Sequence, residues 1–189
     1  LTLGGLSGVL TGTAVNDNAT VPAAITTATL LNNTGGAAPG LGTATVADGD
    51  SFTVNGKTIT FKAGAAPLAA SAPTGYGIDA GAASVATDGN GNSLIYIGAS
   101  STTSTATVGD VLRAIDLASG VRSSTIASGV ATTATNAGQT VSSITAGAVS
   151  LQTSTGGDLD VSGKADFLKA LGLTTALGSG TTTLTAVRT

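Results

Sequence analysis

The sequence predicts an α+β fold made mostly of β-hairpins, with two short helices packed on them. Three stretches carry this prediction: an Asn-Gly hairpin at 48–61, an amphipathic helix that begins near Thr107, and a strand-and-helix segment at 148–173. Each combines an alternating or helical apolar pattern with turn or cap residues at its ends. The other segments have weaker local patterns, so the fold class depends mainly on these three.

The hairpin is predicted by DGDSFTVNGKTITF at 48–61, where two alternating apolar runs flank Asn55-Gly56. A two-residue type I′ turn needs positive φ at both positions, which Asn and Gly tolerate. The turn places Val54 opposite Lys57. The remaining pairs are then Thr53 with Thr58, Phe52 with Ile59 and Ser51 with Thr60. One face therefore carries the large apolar side chains of Phe52, Val54, Ile59 and Phe61, and another element must cover it because a lone hairpin is marginal in water.

The clearest helix begins at Thr107, which forms an S/T-x-x-D capping-box pattern with Asp110. Its apolar side chains recur at i, i+3, i+4 and i+7. They are Val108, Val111, Leu112 and Ile115. Gly120 is suited to end the helix, because glycine tolerates the left-handed conformation of a C-terminal cap. We expect the apolar stripe of this helix to cover the hairpin face.

A second strand-and-helix segment follows later in the chain. Alternation predicts a hairpin of Ala148–Gln152 with Asp158–Val161 around the turn at 154–157. A short helix is expected from Ser162 to Gly172, with Phe167, Leu168 and Leu171 as its apolar positions. Its six residues Asp166 to Leu171 match Asp110 to Ile115 type by type, which suggests two related small units, although two copies do not prove a repeat.

These patterns divide the chain into four predicted parts. They are an irregular lead-in at 1–43, a hairpin-helix unit at 44–121, a second hairpin-helix unit at 122–175 and an exit segment at 176–189. In the lead-in, a short strand or helix is predicted at Ile25 to Leu31 and a break at 32–42. Residues 63–87 suggest an irregular excursion, 93–97 a buried strand, and 121–145 give no clear pattern.

The composition removes most enzyme classes. The chain has no His and no Cys, and all ten of its acidic residues are Asp. The common general bases, thiolate nucleophiles and soft metal ligands are therefore missing. The seven Lys and Arg residues are scattered, whereas nucleic-acid binding needs a basic stripe. We expect no enzyme activity, no cofactor, no nucleic-acid partner, and no catalytic or metal-binding residues.

Several short motifs resemble ligand-binding patterns but lack a required part. Gly56-Lys57-Thr58 resembles the end of a phosphate loop, yet the glycine needed five positions earlier is Ser51. Residues 75–80 fit G-x-G-x-x-A without a preceding strand. Residues 88–92, DGNGN, place three oxygen side chains as at the start of a calcium loop, but the twelfth position is Ala99, so an Asn-Gly turn is favoured over a calcium site.

The remaining candidate functional sites are two carboxylate pairs and two glycosylation sequons. Asp48 with Asp50, and Asp158 with Asp160, each share a strand face as a glycosidase dyad would, but both pairs flank turns, where solvated caps are the default. Asn18-Ala-Thr20 and Asn32-Asn-Thr34 fit N-x-[ST], a pattern common by chance in a chain rich in Asn and Thr. We assign no function to either set. No run approaches 18 apolar residues and no secretory signal begins this piece.

Three pieces in order resemble the variable outer domains of bacterial flagellins: GDSFTVNGKTITF, then TVGDVLRAIDLASGV, then AVSLQTSTGGDLDVSG leading into FLKALGL. The hairpin and the helix that follows it are similar to the flagellin hook IN motif. The resemblance covers 48–61 and 107–121 well, 148–173 moderately, and the first 40 residues hardly at all. Whole flagellins also have long heptad-patterned terminal helices, which this chain lacks.

The resemblance implies a non-enzymatic structural domain on the surface of a flagellar filament, with a role in motility. It further implies an extracellular location on the bacterial flagellum, no membrane partner, and assembly with other flagellin copies through helices of a parent protein, so that the isolated fragment is a monomer. An alternative is an adhesin-type surface module that binds a glycan or host surface. A calcium-dependent surface-layer repeat is a weaker option. An exposed aromatic cluster would favour the adhesin, for which only Tyr76 and Tyr96 are available.

Overall fold

The computed structural model describes residues 9–154 and 157–186, which form an α+β fold dominated by strands. The first six strands are β1 (Val9–Thr11), β2 (Ser51–Val54), β3 (Lys57–Lys62), β4 (Gly77–Asp79), β5 (Ala82–Thr87) and β6 (Ser93–Tyr96). Helix α1 (Val108–Ala118) follows. The chain continues with β7 (Arg122–Ala127), β8 (Val130–Thr135), β9 (Ser143–Thr145), β10 (Ala148–Gln152), β11 (Leu159–Lys164), helix α2 (Ala165–Ala170) and β12 (Thr181–Ala186). This confirms the predicted fold class of two short helices on a mostly β structure.

The strands form two sheets, and α1 contacts both of them. The large sheet has the order β12-β11-β2-β3-β6-β5-β4-β8-β7, and the small sheet has the order β1-β10-β9. Helix α1 contacts β3, β5, β6 and β7 of the large sheet and β10 of the small one. Six of its buried apolar side chains belong to a cluster of apolar residues that also includes side chains of both sheets. The main core therefore lies around α1.

The Asn55-Gly56 hairpin is confirmed. Strands β2 and β3 pair antiparallel with the four residue pairs that the turn predicts. Asn55 and Gly56 have φ values of 49° and 76°, as a type I′ turn requires. The predicted apolar face is buried throughout. Strand β3 continues the sheet by pairing in parallel with β6, which confirms the buried strand predicted after the turn at 88–92.

The capping box of α1 is also confirmed. The Thr107 hydroxyl accepts a hydrogen bond from Asp110 N, and the Asp110 carboxylate accepts one from Thr107 N. Gly120 follows the end of the helix with φ of 80°. The predicted apolar stripe is buried, and α1 packs on β3. These contacts bear out α1 as a cover for the hairpin.

Helix α2 covers the rest of the apolar face of the hairpin. The ring of Phe167 lies 5.2 Å from that of Phe52 and 5.3 Å from that of Phe61, between ring centroids. All three Phe residues of the chain therefore meet in one cluster under the large sheet. Aromatic pairs at this spacing contribute about 0.5 to 1.5 kcal/mol beyond their buried area.

The predicted hairpin of β10 with β11 is wrong. Strand β10 pairs with β1 and β9 in the small sheet, whereas β11 pairs with β2 and β12 in the large sheet. Alternation did identify the buried positions, since Val149, Leu151, Leu159 and Val161 are all fully buried. It could not identify the partners, because any alternating strand can pair with any other. Strands from both predicted units, 44–121 and 122–175, consequently contribute to the large sheet.

The predicted start of the second helix at Ser162 is wrong. Ser162 lies in β11, and α2 begins directly after that strand at Ala165. Gly172 ends this region with φ of 72°, as predicted. The segment predicted as an exit, 176–189, contains β12, which pairs along the whole length of β11. The predicted turn at 154–157 includes residues 155–156, which lie outside the described residues.

The lead-in is coil with several buried residues at 25–31, where a short strand or helix was predicted. Ile25 and Leu31 are fully buried, but the segment between them makes only isolated bridges. Asn32 holds it in place: its side-chain Nδ2 donates to Val46 O at 2.8 Å and its Oδ1 accepts from Val46 N at 3.0 Å. Asn32 N also donates to the hydroxyl of Ser104. The described part of the lead-in therefore contributes Ile25 and Leu31 to the core.

Two segments predicted to be irregular form strands. The second half of 63–87 contains β4 and β5, preceded by a turn of 3-10 helix at Ala69–Ser71. The weak segment at 121–145 contains the β7–β8 hairpin and β9. Ser128 and Gly129, with φ values of 51° and 75°, form the two-residue turn of that hairpin. Of the residues in β7 and β8, only Ala131 is buried, so the apolar alternation that marks a strand is absent.

Candidate functional site: the terminal junction and the charged face of helix α1

The first and last described strands meet, which defines the terminal junction (residues 11–13, 172–175 and 181–186). Strand β1 contacts β12, although the two belong to different sheets. Thr13 N and the Thr13 hydroxyl both donate to Gly172 O, at 2.8 and 3.2 Å. Gly12 lies so close to this carbonyl that an added β-carbon would be 2.7 Å from the oxygen. The chain therefore enters and leaves the described fold at one place.

The charged face of α1 is the main concentration of ionisable groups among the described residues. Arg113 donates from Nε and Nη2 to both carboxylate oxygens of Asp79, whose side chain is fully buried in the structure. Gly81 leaves room for this guanidinium, because an added β-carbon would lie 2.5 Å from Arg113 Nη2. A bidentate pair of this kind fixes α1 to β4.

A second ion pair fixes the other end of α1 to the segments that follow it. Asp116 accepts from Arg122 Nε at 3.3 Å and from Ser142 N at 3.0 Å. Burial raises the pKa of Asp116, and the bonds from Ser142 and Arg122 offset only part of that effect. Burial likewise raises the pKa of Asp110, against the lowering effect of its bonds to Thr107. Both carboxyl groups are therefore less acidic than free Asp.

A polar groove of about 320 Å³ lies along this face and is lined by both arginines. The sequence predicted a role for Asp110 as a helix cap, but not the ion pairs of Arg113 and Arg122. The spacing of Asp110, Arg113 and Asp116 at i, i+3 and i+6 on one helix was the available signal. The partners Asp79 and Arg122 lie on other elements and have no local signature. The role that the geometry supports is attachment of α1 to its neighbours.

The candidate ligand motifs serve as turns and strands. In the DGNGN turn, Asp88 Oδ1 accepts from Asn90 N and Asn92 N, and its Oδ2 accepts from Asn92 Nδ2. This carboxylate thus caps its own turn. The G-x-G-x-x-A stretch runs into β4, and Gly56-Lys57-Thr58 lies in the hairpin. Among the described residues, no three or more acidic side chains converge as they would around a metal ion.

The carboxylate pairs and sequons have structural contacts as well. Asp48 accepts from Ala63 N, and Asp50 accepts from Ala47 N and from Lys164 Nζ at 2.6 Å. Asp160 N donates to the side chain of Asn55 at 2.8 Å. Both amide atoms of Asn18 are bonded to backbone groups at Asn33 and Gly40, and the Asn32 side chain is fully buried. The folded chain therefore does not present Asn32 for glycosylation.

An apolar surface surrounds the 3-10 turn, with a groove on either side of Ala69. The larger groove has a volume of about 730 Å³ and runs between residues 69–76 and the tip of the β7–β8 hairpin. Tyr76 is half-buried in its wall, and Leu68, which is 81% exposed, lines the second groove. Burial, Asp88 and Tyr96 raise the pKa of Tyr76. None of the described helices is long and apolar enough to cross a membrane.

The fold and its contacts define the class: a mostly β domain, with its main core built around one helix, whose two described ends meet at a junction. The chain belongs to a family described as Domain of Unknown Function (DUF1522), whose model matches residues 7–155 and 153–189. No curated protein matches it, and no solved structure does.

Proposed function

We propose that this domain is a non-enzymatic, surface-exposed outer domain of a flagellar filament protein, a flagellin. The terminal junction is the observation that carries the proposal. A domain displayed from a filament must connect at both ends to one stem. The contacts of β1 with β12 and of Thr13 with Gly172 suit that connection.

The surface of the domain suits display. The outer face of the β7–β8 hairpin is exposed along its length and carries mainly small or hydroxyl-bearing side chains: Ser123, Thr125, Ala127, Val130, Thr132 and Ala134. Such a face stays hydrated without offering a large apolar patch. The hairpin and helix that resemble the flagellin hook IN motif pack into the same core as both sheets. On this proposal the domain is extracellular, and its partners are other flagellin copies, bound through the parent protein.

The test is to replace the domain in its parent protein. Deletion of residues 44–175 alone would leave β1, β12 and the buried Ile25 and Leu31 without their core, so the excision should span 9–186. A short Gly-Ser linker closes the gap, since the two ends lie together. Electron microscopy should still show filaments, with altered surface properties such as antigenicity. Loss of filaments, with the truncated protein stable and exported, would mean that this region assembles the polymer.

An adhesin-type module is the second candidate, favoured by the groove beside Tyr76. Aromatic side chains at the edge of an open groove offer the flat apolar surface on which sugar rings stack. A glycan array probed with the isolated domain tests this function. Binding that is lost in Tyr76→Ala and kept in Thr74→Ala, which alters the same groove wall, would support the adhesin. Absence of any glycan signal for the wild-type domain would count against it.

A further inference from the structure

The sequence contains two Asn-Gly dipeptides, Asn55-Gly56 and Asn90-Gly91, and the structure gives them different surroundings. At such dipeptides the backbone nitrogen of Gly can attack the side-chain amide of Asn, because glycine has no side chain to hinder the approach. The reaction needs the dipeptide to move out of its native turn. The freedom of the two glycines therefore decides which site reacts in the folded chain.

Gly56 lies in open space. An added β-carbon there would have no other atom within 4 Å, and both Asn55 and Gly56 are exposed. The turn is bonded to β11, where Asn55 N donates to Asp160 O and Asn55 Oδ1 accepts from Asp160 N, each at 2.8 Å. The second bond draws electron density from the amide carbonyl, which makes Cγ a better target for a nucleophile.

Gly91 lies in a packed environment. An added β-carbon would be 3.1 Å from Lys57 Cγ, 3.2 Å from Leu117 O and 3.3 Å from Ala118 Cα. The turn is also closed by the bonds from Asn90 N and Asn92 N to Asp88. The end of α1 and the stem of Lys57 thus restrain the backbone on which an attack at Asn90 depends.

We propose that Asn55 is a site of spontaneous covalent modification in the folded protein, by deamidation, and that Asn90 is protected. Gly56 N forms a bond to Asn55 Cγ, the Cγ–Nδ2 bond breaks, and ammonia leaves with the amide proton. Water then opens the cyclic imide at either carbonyl, which gives Asp or isoaspartate at position 55. No other reactant is needed.

The modification has a structural consequence at the junction of β2 and β11. An Asp at position 55 adds a negative charge next to Asp160. Isoaspartate lengthens the backbone by one carbon within a two-residue turn, so the paired bonds to the Asp160 backbone are not both kept. Aged protein is therefore expected to melt at a lower temperature than fresh protein, through the isoaspartate fraction.

The experiment compares folded and unfolded protein at both sites. The chain is incubated at mildly alkaline pH with and without denaturant, and peptide mass spectrometry follows conversion at Asn55 and Asn90. We expect folding to lower the rate at Asn90 by at least about tenfold more than the rate at Asn55, a difference in barrier of about 1.4 kcal/mol. Equal or greater protection of Asn55 by folding would overturn the proposal.

Asn55→Gly is the matched control variant. Glycine tolerates the positive φ of the turn, so the hairpin is kept while the reactive amide is removed. This variant should show no loss of melting temperature on ageing, whereas the wild type should. An equal loss in both proteins would place the damaging modification elsewhere and contradict the proposed consequence.

Discussion

Helices α1 and α2 have matching sequences at Asp110 to Ile115 and Asp166 to Leu171, but different contacts position them. Helix α1 caps its own N-terminus through Thr107. Helix α2 has no side-chain cap, and its first amides donate to the carbonyls of Gly180 and Gly178 on the loop before β12. A local cap can be predicted from sequence, whereas a cap supplied by a distant loop cannot.

The two helices also differ in what anchors them. The basic residue of α1, Arg113, pairs with a buried carboxylate, whereas the matching Lys169 of α2 is exposed. The aromatic position of α2, Phe167, fills the cluster with the other two Phe rings, whereas the matching Val111 of α1 is smaller. The same pattern of residue types thus yields one helix held by charge and capping and another held by an aromatic side chain. Four substitutions test this difference.

Phe167→Ala should have the largest effect. It removes the ring that packs on both Phe52 and Phe61 and leaves a cavity under the large sheet, which should lower the free energy of unfolding by about 3 to 5 kcal/mol. Urea denaturation measures the loss. Lys169→Ala, two positions later on the exposed face, should change stability by less than about 0.5 kcal/mol. Similar losses of stability for the two variants would show that the Phe167 ring does not anchor α2.

Arg113→Ala should follow, with a loss of about 2 to 4 kcal/mol, because the buried carboxylate of Asp79 is left without its partner. The value lies below the full cost of an isolated buried charge, since the Arg113 side chain is partly exposed. The double variant Asp79→Asn with Arg113→Gln should recover part of the loss. If Arg113→Ala costs no more than Lys169→Ala, the charged anchor of α1 does not exist.

Thr107→Ala should cost about 1 kcal/mol, because it removes the side-chain cap of α1. Ser162→Ala is the matched change at the residue where sequence patterns had placed the start of the second helix. Its hydroxyl shares a hydrogen bond with that of Thr183 at an exposed position, so its loss should be within about 0.5 kcal/mol. A larger loss of stability for Ser162→Ala than for Thr107→Ala would contradict the role of Thr107 as the helix cap.

The smallest expected effect is the dependence of stability on pH. The pKa values of Asp110 and Asp116 are raised in the folded chain, so these groups bind protons more tightly when folded. Their contribution to stability is fully present below the ordinary Asp pKa and is lost as pH rises through the raised values. Asp116→Asn removes one of these titrations.

The wild type should accordingly gain stability relative to Asp116→Asn as pH falls through this window. Denaturant melts at a series of pH values measure the difference, and Asp166→Asn on α2 provides the matched removal of a carboxylate. If the wild type instead loses stability relative to Asp116→Asn on acidification, the ion pair with Arg122 affects the pKa of Asp116 more than burial does.

Local signals predicted the Asn55-Gly56 hairpin and α1 down to single residues, because both carry their turn or cap chemistry within the segment. The β7–β8 hairpin was missed because its strands contain Ser, Thr and Ala where large apolar residues would mark a buried face. Its Ser128-Gly129 turn was the available signal. The pairing of β11 with β2, and the ion pair of Asp79 with Arg113, join residues far apart in sequence. Such contacts have no local pattern.

The most direct test of whether the two ends of the fold meet is to measure the distance between β1 and β12 across the terminal junction. The chain has no Cys, so Thr11→Cys and Thr185→Cys allow one spin label to be placed on β1 and one on β12, both at exposed positions. The account predicts a single narrow distribution at short distance, which broadens and lengthens only in denaturant. A long or broad distribution in the native protein would contradict the terminal junction and the display function built on it.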